Sequence, residues 1–224
     1  MSDQGMKFQL IVDGEDAGLM QTRMVGAFNV SNALAVFACL LAGGKTIKSA
    51  KNSIEALQAV QGRMELVSRA TAQQPMAVID FAHTPDALEQ VLKTLRDIAE
   101  QRAGQLWCVF GCGGDRDKTK RPMMGHIASV LSSKVIFTSD NPRSENPETI
   151  ISQMEEGVEP QNFKKIIAIT NRKQAIKTAC QMAKPKDIIL VAGKGHESYQ
   201  EINGARSEFN DYIVAQECLN QLQK

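Results

Sequence analysis

The run Leu106-Trp-Cys-Val-Phe110, followed at once by Gly111-Cys-Gly-Gly-Asp-Arg-Asp117, decides the fold class. Its first five residues are apolar without the alternation of a half-exposed strand, which is typical of a strand covered on both faces. The glycine-rich, charged stretch that follows predicts a loop at the end of that strand. Two further unbroken apolar runs lie in residues 134–138 and 188–192. Strands of this kind predict a sheet that is mainly parallel.

Amphipathic helical patterns separate these strands. Thr84-Pro85 predicts a helix start, because threonine caps well and proline suits the first helical position. Strands that alternate with helices imply right-handed crossovers and an open α/β sheet with helices on both faces. The strands expected are 76–80, 106–110, 134–138, 166–169 and 188–192, and the helices expected are one from Thr84-Pro85, 123–131, one from near Pro147, 172–183 and about 209–222.

Residues 1–62 predict a different and incomplete arrangement. Strands are expected at 8–12 and 19–25, with a turn over 13–18, and a helix should end at Gly43-Gly44. A second helix capped by Thr46 should present Ile47, Ile54 and Leu57 on its apolar side. This segment is too short for a domain, so we expect it to be the end of a larger one, with a boundary between residues 62 and 63.

Bulk composition excludes several classes of protein. The chain of 224 residues has a formal net charge of +1, which gives no reason to expect a nucleic-acid partner. No apolar run approaches the roughly 20 residues that span a bilayer, and the N-terminus has no signal-peptide core. The five scattered cysteines predict no disulfide framework and no metal site, which favours a cytoplasmic location.

Polar and glycine-rich segments follow four of the predicted strands. In open α/β sheets, ligands bind beyond the carboxyl ends of the strands, so these segments should form one site. Each alone could be a tight turn or a solvated charge, and neither glycine-rich loop has the phosphate-loop pattern. The four segments are residues 80–86, 111–117, 139–143 and 193–197.

The charges in these loops suit a small zwitterion. Arg116 and Arg143 carry planar guanidinium groups that bind carboxylates through two hydrogen bonds. Glu197 can pair with an ammonium group. The residues therefore predict a small, polar, amino-acid-like ligand, and by themselves they do not identify it.

Seven motifs in order resemble the MurE type of Mur ligase over essentially the whole chain. The resemblance implies a C-terminal Rossmann-like domain, preceded by the tail of a central ATPase domain. It also implies ATP- and Mg²⁺-dependent amide formation through an acyl phosphate in peptidoglycan synthesis. The motifs are Gly26-Ala-Phe-Asn-Val-Ser-Asn32, Gly62-Arg-Met-Glu65, Asp80-Phe-Ala-His-Thr-Pro-Asp86, Val109-Phe-Gly-Cys-Gly-Gly-Asp-Arg-Asp117, Lys120-Arg-Pro122, Asp140-Asn-Pro-Arg143 and Gly193-Lys-Gly-His-Glu197.

The resemblance also implies roles for particular residues. Positions that contact meso-diaminopimelate in the family correspond to Arg116, Asp140, Asn141, Pro142, Arg143, Gly193 and Glu197. Positions around the ATP adenine, phosphate and ribose correspond to Asn29, Arg63 and Asp80, respectively. The Asp-Asn-Pro-Arg tetrad resembles the form linked to diaminopimelate, which differs from lysine by one carboxylate. Phe81 stands where tyrosine is common in the family.

The family's phosphate loop has no counterpart in this sequence, since no Gly-x-x-x-x-Gly-Lys-Thr/Ser occurs. We therefore expect no catalytic residue and no metal ligand here, and a chain that cannot ligate alone. Its expected partners are ATP, meso-diaminopimelate and UDP-N-acetylmuramoyl-dipeptide, and it is expected to be a monomer. The alternatives are a Mur-type ligase for another amino acid or a peptide, a binding module without catalysis, and a dinucleotide-binding protein. The tetrad disfavours the first, and the lack of Gly-x-Gly-x-x-Gly disfavours the last.

Overall fold

The computed structural model describes residues 5–22, 24–68, 71 and 73–222. The chain forms two compact units, which divide between Val60 and Gln61. The sequence analysis predicts a domain boundary two residues later, between residues 62 and 63. In the described ranges, no helix is both long enough and apolar enough to cross a bilayer.

The first unit contains a hairpin of β1 (Met6–Val12) and β2 (Glu15–Thr22), then α1 (Ala27–Ala42) and α2 (Ile47–Glu55). The strands pair antiparallel. Apolar side chains of all four elements form its core, and they include Leu10, Met20, Ala33, Phe37, Ala50 and Ile54.

The sequence-based predictions for this unit need three corrections. The strand predicted over 19–25 is β2, which spans Glu15–Thr22 and does not include Met24 or Val25, while residue 23 lies outside the described residues. The predicted turn over 13–18 is shorter, because only Asp13 and Gly14 turn, both with positive φ, and β2 begins at Glu15. The predicted apolar side of α2 is also narrower. Only Ile54 of the three is buried; Ile47 and Leu57 are exposed, and Leu57 lies beyond the helix. The cap is confirmed, since Thr46 Oγ1 accepts a hydrogen bond from the Ser49 amide at 3.2 Å.

A six-stranded sheet forms the centre of the second unit, in the order β3-β4-β8-β5-β6-β7. Every pairing in this order is parallel except that of β3 with β4. The prediction of an open, mainly parallel sheet is confirmed. Its strands are β3 (Glu65–Leu66), β4 (Met76–Asp80), β5 (Leu106–Phe110), β6 (Lys134–Phe137), β7 (Ile166–Ala168) and β8 (Ile188–Ala192).

Helices cover both faces of this sheet. Alternate residues of the central strands, such as Val109 and Val191, join one apolar cluster with α6 and α7. The other face is equally buried, and α3 and α4 lie against it. The helices are α3 (Pro85–Gln101), α4 (Lys120–Leu131), α5 (Pro147–Glu155), α6 (Arg172–Met182) and α7 (Asp211–Gln221), with a 3-10 helix over Pro160–Lys165.

Most predicted elements of this unit agree with the structure within two residues. The main exception among the helices is α4, which begins at Lys120, three residues before the predicted start. The sequence analysis missed the short edge strand β3 and a hairpin of β9 (Tyr199–Ile202) and β10 (Ala205–Glu208). The hairpin turns at Asn203-Gly204, where both residues have positive φ. Asn-Gly is a strong hairpin signal, so the information was present in the sequence.

Candidate ligand-binding site

A cavity of about 320 Å³ lies at the carboxyl edge of the sheet. Loops after β4, β5, β6 and β8 line it, together with the start of α4. Six of the seven residues predicted to contact an amino acid are among its lining residues; Pro142 is not. The lining comprises Phe81, His83, Gly111, Cys112, Gly113, Arg116, Asp117, Lys120, Arg121, Met124, Asp140, Asn141, Arg143, Gly193 and Glu197.

The loops after β5 and β6 form one continuous wall. The Gly114 amide donates to the Asn141 carbonyl at 2.8 Å, and Arg143 Nη1 donates to the Gly114 carbonyl at 2.7 Å. A Cβ on Gly114 would lie 1.8 Å from the Pro142 carbonyl oxygen, so only glycine allows this approach. Pro142 therefore contributes to the site as backbone against which the other loop closes.

Two guanidinium groups supply the positive side of the cavity. Arg143 Nη1 and the Arg116 side chain both lie near Gly113, at 3.1 and 3.6 Å from where its Cβ would be. Arg116 is exposed, and within the described ranges no hydrogen bond or ion pair engages it. Among the described residues, the guanidinium of Arg143 donates to a single carbonyl, that of Gly114. Both groups thus keep donors for a carboxylate.

A third arginine of the cavity, Arg121, is already engaged through both of its terminal nitrogens, while its buried Nε has no hydrogen-bond partner among the described residues. Arg121 is buried, and it donates to both carboxylate oxygens of Glu145, at 2.8 and 2.9 Å. It also donates to Gln153 and to the Gly113 carbonyl. The hydrogen bonds from Arg121, together with that from the Asp115 amide, hold the pKa of Glu145 well below its ordinary value, so the carboxylate stays charged. Arg121 therefore holds the loop after β5 in place through its hydrogen bond to the Gly113 carbonyl.

The carboxylates of Asp140 and Glu197 form the negative side of the cavity, and both accept hydrogen bonds from Lys194. Its ammonium donates to Asn141 Oδ1 at 2.8 Å, to Glu197 Oε2 at 3.1 Å and to Asp140 Oδ1 at 3.3 Å. Burial raises the pKa of Asp140, while the charges of Arg172 and Lys194 oppose that rise. Sequence reasoning assigned no role to Lys194, since a lysine between two glycines gives no sign of burial.

The hairpin β9–β10 closes the site beside the tetrad 140–143. The Glu201 amide donates to Asn141 Oδ1 at 3.0 Å, and Gln200 Nε2 donates to the Asp140 carbonyl at 2.7 Å. The backbone of Arg143 also exchanges hydrogen bonds with the hairpin, since its amide donates to Glu201 and its carbonyl accepts from Asn203. The hairpin thus fixes three of the four tetrad residues.

The residues predicted to surround ATP lie in both units. Asn29 belongs to the first unit, where its side-chain amide donates to the Val25 carbonyl at 2.7 Å. In the second unit, Arg63 lies 4.7 Å from the centre of the Phe81 ring. Asp80 is buried, and its two oxygens accept from the amides of Met64 and Ala82, both at 2.8 Å. Neither Arg63 nor Asp80 lines the cavity.

The two histidines that sequence reasoning left open lie beside the same phenylalanine. The ring centres of His83 and His196 are 4.5 and 5.1 Å from that of Phe81. His83 Nδ1 also contacts the Phe81 carbonyl at 2.7 Å. Over the part of the chain that is described, no three His, Cys, Asp or Glu side chains come together as a metal site.

Fold and site together define an α/β domain with a zwitterion-sized cavity at the carboxyl edge of its sheet. The model of the Mur ligase, glutamate ligase domain family matches residues 62–195. The chain therefore belongs to this family.

Curated relatives point to one branch of it. UDP-N-acetylmuramoyl-L-alanyl-D-glutamate–2,6-diaminopimelate ligase of Janthinobacterium sp. (strain Marseille) is 49% identical over 86% of this chain and 37% of its own length. The protein of that name from Bacillus velezensis is 45% identical over 100% of this chain and 44% of its own length. This chain thus spans less than half the length of these relatives.

Solved structures agree with this assignment. A structure titled UDP-N-acetylmuramoyl-L-alanyl-D-glutamate–2,6-diaminopimelate ligase aligns with a TM-score of 0.75 and 38% identity, covering 100% of this chain and 44% of that one. UDP-N-acetylmuramate-alanine ligase from Thermotoga maritima aligns with a TM-score of 0.65 and 16% identity, over 97% of this chain and 43% of that one. The second likeness shows the fold alone.

Proposed function

We propose that this chain is part of an ATP-dependent ligase that adds meso-diaminopimelate to UDP-N-acetylmuramoyl-L-alanyl-D-glutamate in the cytoplasm. The observation that carries the proposal is one cavity whose lining includes the free guanidinium donors of Arg116 and Arg143 together with the carboxylates of Asp140 and Glu197. Diaminopimelate carries both charges at each end, so a site with both signs suits it. The relatives named above bear this activity in their names.

Arg116 and Arg143 bind the distal carboxylate of the amino acid in this proposal. Both side chains lie over Gly113 and keep free guanidinium donors. Asp140 and Glu197 receive the adjacent ammonium group, Asn141 holds Glu197 by a hydrogen bond, and Gly193 lets the backbone approach. L-Lysine lacks the distal carboxylate, so it would leave the two arginines unpaired, and a site built for that charge should reject it.

Nucleotide contacts are proposed for Asn29, Arg63 and Asp80. ATP, with Mg²⁺, supplies the phosphoryl group that activates the D-glutamate carboxylate. Arg63 is proposed to bind phosphate oxygens, because a guanidinium group donates charge-assisted hydrogen bonds to phosphate. Its guanidinium lies 4.7 Å from the centre of the Phe81 ring. Each oxygen of Asp80 already accepts one backbone hydrogen bond and retains a lone pair for a ribose hydroxyl.

Residues 1–62 are proposed to be the end of a central ATPase domain, and residues 63–224 the C-terminal Rossmann-like domain. Three apolar side chains of α1, those of Phe28, Leu34 and Val36, are exposed, as expected of a helix that packs against a larger sheet. The phosphate loop and catalytic lysine would then belong to the rest of the ligase. The chain alone is proposed to be an inactive monomer.

Calorimetric titration of this chain with meso-diaminopimelate tests the proposal. We expect binding of meso-diaminopimelate, no binding of L-lysine, and loss of binding in Arg143→Ala. Arg96→Ala is the matched control, because Arg96 is an exposed arginine of α3 outside the cavity. Equal binding of lysine would overturn the proposed substrate. Absence of any binding, here and in the complete ligase, would overturn the proposed function.

A further inference from the structure

Lys194 occupies an unusual position for a lysine. Its side chain is 0% exposed, although its hydrogen-bond partners Asp140, Asn141 and Glu197 line the cavity. Burial of an unpaired ammonium group costs several kcal/mol or more, so such groups persist only where acceptors surround them. Here the three N–H donors of the ammonium meet three acceptors, on Asn141, Glu197 and Asp140. The ammonium group of Lys194 therefore needs no ligand to satisfy its hydrogen bonds.

This lysine determines how the Asn141 side chain is oriented. Asn141 Oδ1 accepts from Lys194 Nζ at 2.8 Å and from the Glu201 amide at 3.0 Å. A flipped amide would turn its NH₂ group toward two donors, which leaves the observed orientation as the satisfied one. The amide nitrogen is then directed at Glu197 Oε2, to which it donates at 2.8 Å.

The same contacts make the two oxygens of the Glu197 carboxylate different. Oε2 accepts from both Lys194 and Asn141. Among the described residues, every hydrogen bond of this carboxylate runs to Oε2, so Oε1 keeps its lone pairs for a ligand. The charges of Asp140 and Glu197 together exceed that of Lys194 by one negative unit, which matches one ligand ammonium.

We propose that Lys194 is a positioning residue for the amino acid: it orients Asn141 and Glu197 and leaves one negative charge for a single ammonium group. The inference rests on the proposed function, and it adds a residue that would act without touching the amino acid.

The experiment uses Lys194→Met, which keeps the length of the side chain and removes its charge. In the ligand-free protein we expect the Asn141 side-chain amide resonances to move, because Asn141 Oδ1 loses the charged donor from which it accepts a hydrogen bond. We also expect meso-diaminopimelate to bind at least tenfold more weakly. Lys173→Met, at an exposed lysine of α6, should leave both unchanged.

A second variant covers the case in which Lys194→Met fails to fold. Lys194→Met combined with Asp140→Asn removes one charge of each sign, and we expect it to fold and still bind at least tenfold more weakly. A folded variant of either kind with wild-type affinity and unmoved Asn141 resonances would overturn the inference.

A measurement on the unsubstituted chain does not depend on whether a variant folds. A buried, three-acceptor ammonium should give a slowly exchanging Lys194 Nζ resonance, and rapid exchange would overturn the inference. If that resonance and the Asn141 shift behave as expected while neither the wild-type chain nor the complete ligase binds meso-diaminopimelate, the proposed function fails, and the orientation of Asn141 and Glu197 by Lys194 stands.

Discussion

Arg172 and Asp211 form a two-point ion pair in which neither side chain is exposed, with Nε–Oδ1 and Nη2–Oδ2 distances of 2.8 and 2.7 Å. Each stands at the first residue of its helix, α6 and α7 respectively. The same guanidinium donates to the carbonyls of Ser139 and Ala192, at 3.3 and 2.9 Å. These two carbonyls immediately precede Asp140 and Gly193. The pair therefore fixes the start of both loops that form the negative side of the cavity.

Breaking this pair should destabilise the second unit strongly. Asp211→Ala leaves a buried guanidinium without its counterion, and such changes cost about 3–5 kcal/mol. Urea unfolding should show the loss as a lower midpoint. Glu217→Ala is the matched control, because Glu217 pairs with Lys173 on the surface and should change stability by less than about 1 kcal/mol. An Asp211→Ala loss as small as the control's would contradict the interpretation.

The close approach of Gly114 to Pro142 gives a second prediction. Gly114→Ala places a methyl group against the Pro142 carbonyl, which forces the wall formed by the two loops apart. We expect binding of meso-diaminopimelate to weaken at least tenfold in calorimetry. Gly43→Ala serves as the control, since a Cβ there meets its nearest atom at an ordinary 3.4 Å. Wild-type affinity in Gly114→Ala would show that the wall tolerates the change.

Arg143→Lys tests the requirement for a planar fork. Lysine keeps the charge but cannot bind a carboxylate through two parallel donors. Hydrogen bonds to charged groups contribute about 1.5–3 kcal/mol, so we expect an affinity loss of roughly 10- to 100-fold for meso-diaminopimelate. Competition calorimetry against the wild-type chain measures it. A loss below threefold would show that charge alone is sufficient at this position.

The Arg121–Glu145 pair predicts how stability depends on pH. Because the pKa of Glu145 is lowered in the folded chain, its contribution is fully present above the unfolded value of about 4.3 and is lost as pH falls below it. The difference in unfolding free energy between wild type and Glu145→Gln should therefore shrink between about pH 5 and pH 3. Denaturant unfolding across this range measures it.

The control for that series is Glu156→Gln, at an exposed residue after α5. Its difference from wild type should stay small across the same range. A Glu145→Gln difference that is constant with pH would mean that the pair does not depend on ionisation of the carboxyl group.

The sequence predicted the central strands well because their apolar runs are uninterrupted. β4, β5 and β8 have the predicted bounds, and each is buried along its whole length. The hairpin β9–β10 was missed because Tyr199–Ile202 and Ala205–Glu208 do not alternate apolar and polar residues. Every β10 residue is exposed, so no core selects its pattern.

The sequence predicted which residues lie together where topology sets their position, and it did not predict which charged residues are buried. Arg116, Arg143 and Glu197 were expected together because loops at one sheet edge must converge, and all three line the cavity. Lys194 and Arg121 were not expected as structural groups, since charged residues in a sequence predict solvated surface. Only the packed loops show that both side chains are enclosed.

The hairpin that borders the cavity pairs with the tetrad loop and with no strand of the central sheet. Its residues contribute little to the core, so its length and sequence can vary without a large loss of stability. The central sheet and its helices therefore provide the stable core of the second unit, whereas the hairpin provides a border of the cavity. Under the proposed function, substitutions or insertions in the hairpin would alter which amino acid is accepted while the scaffold is inherited unchanged.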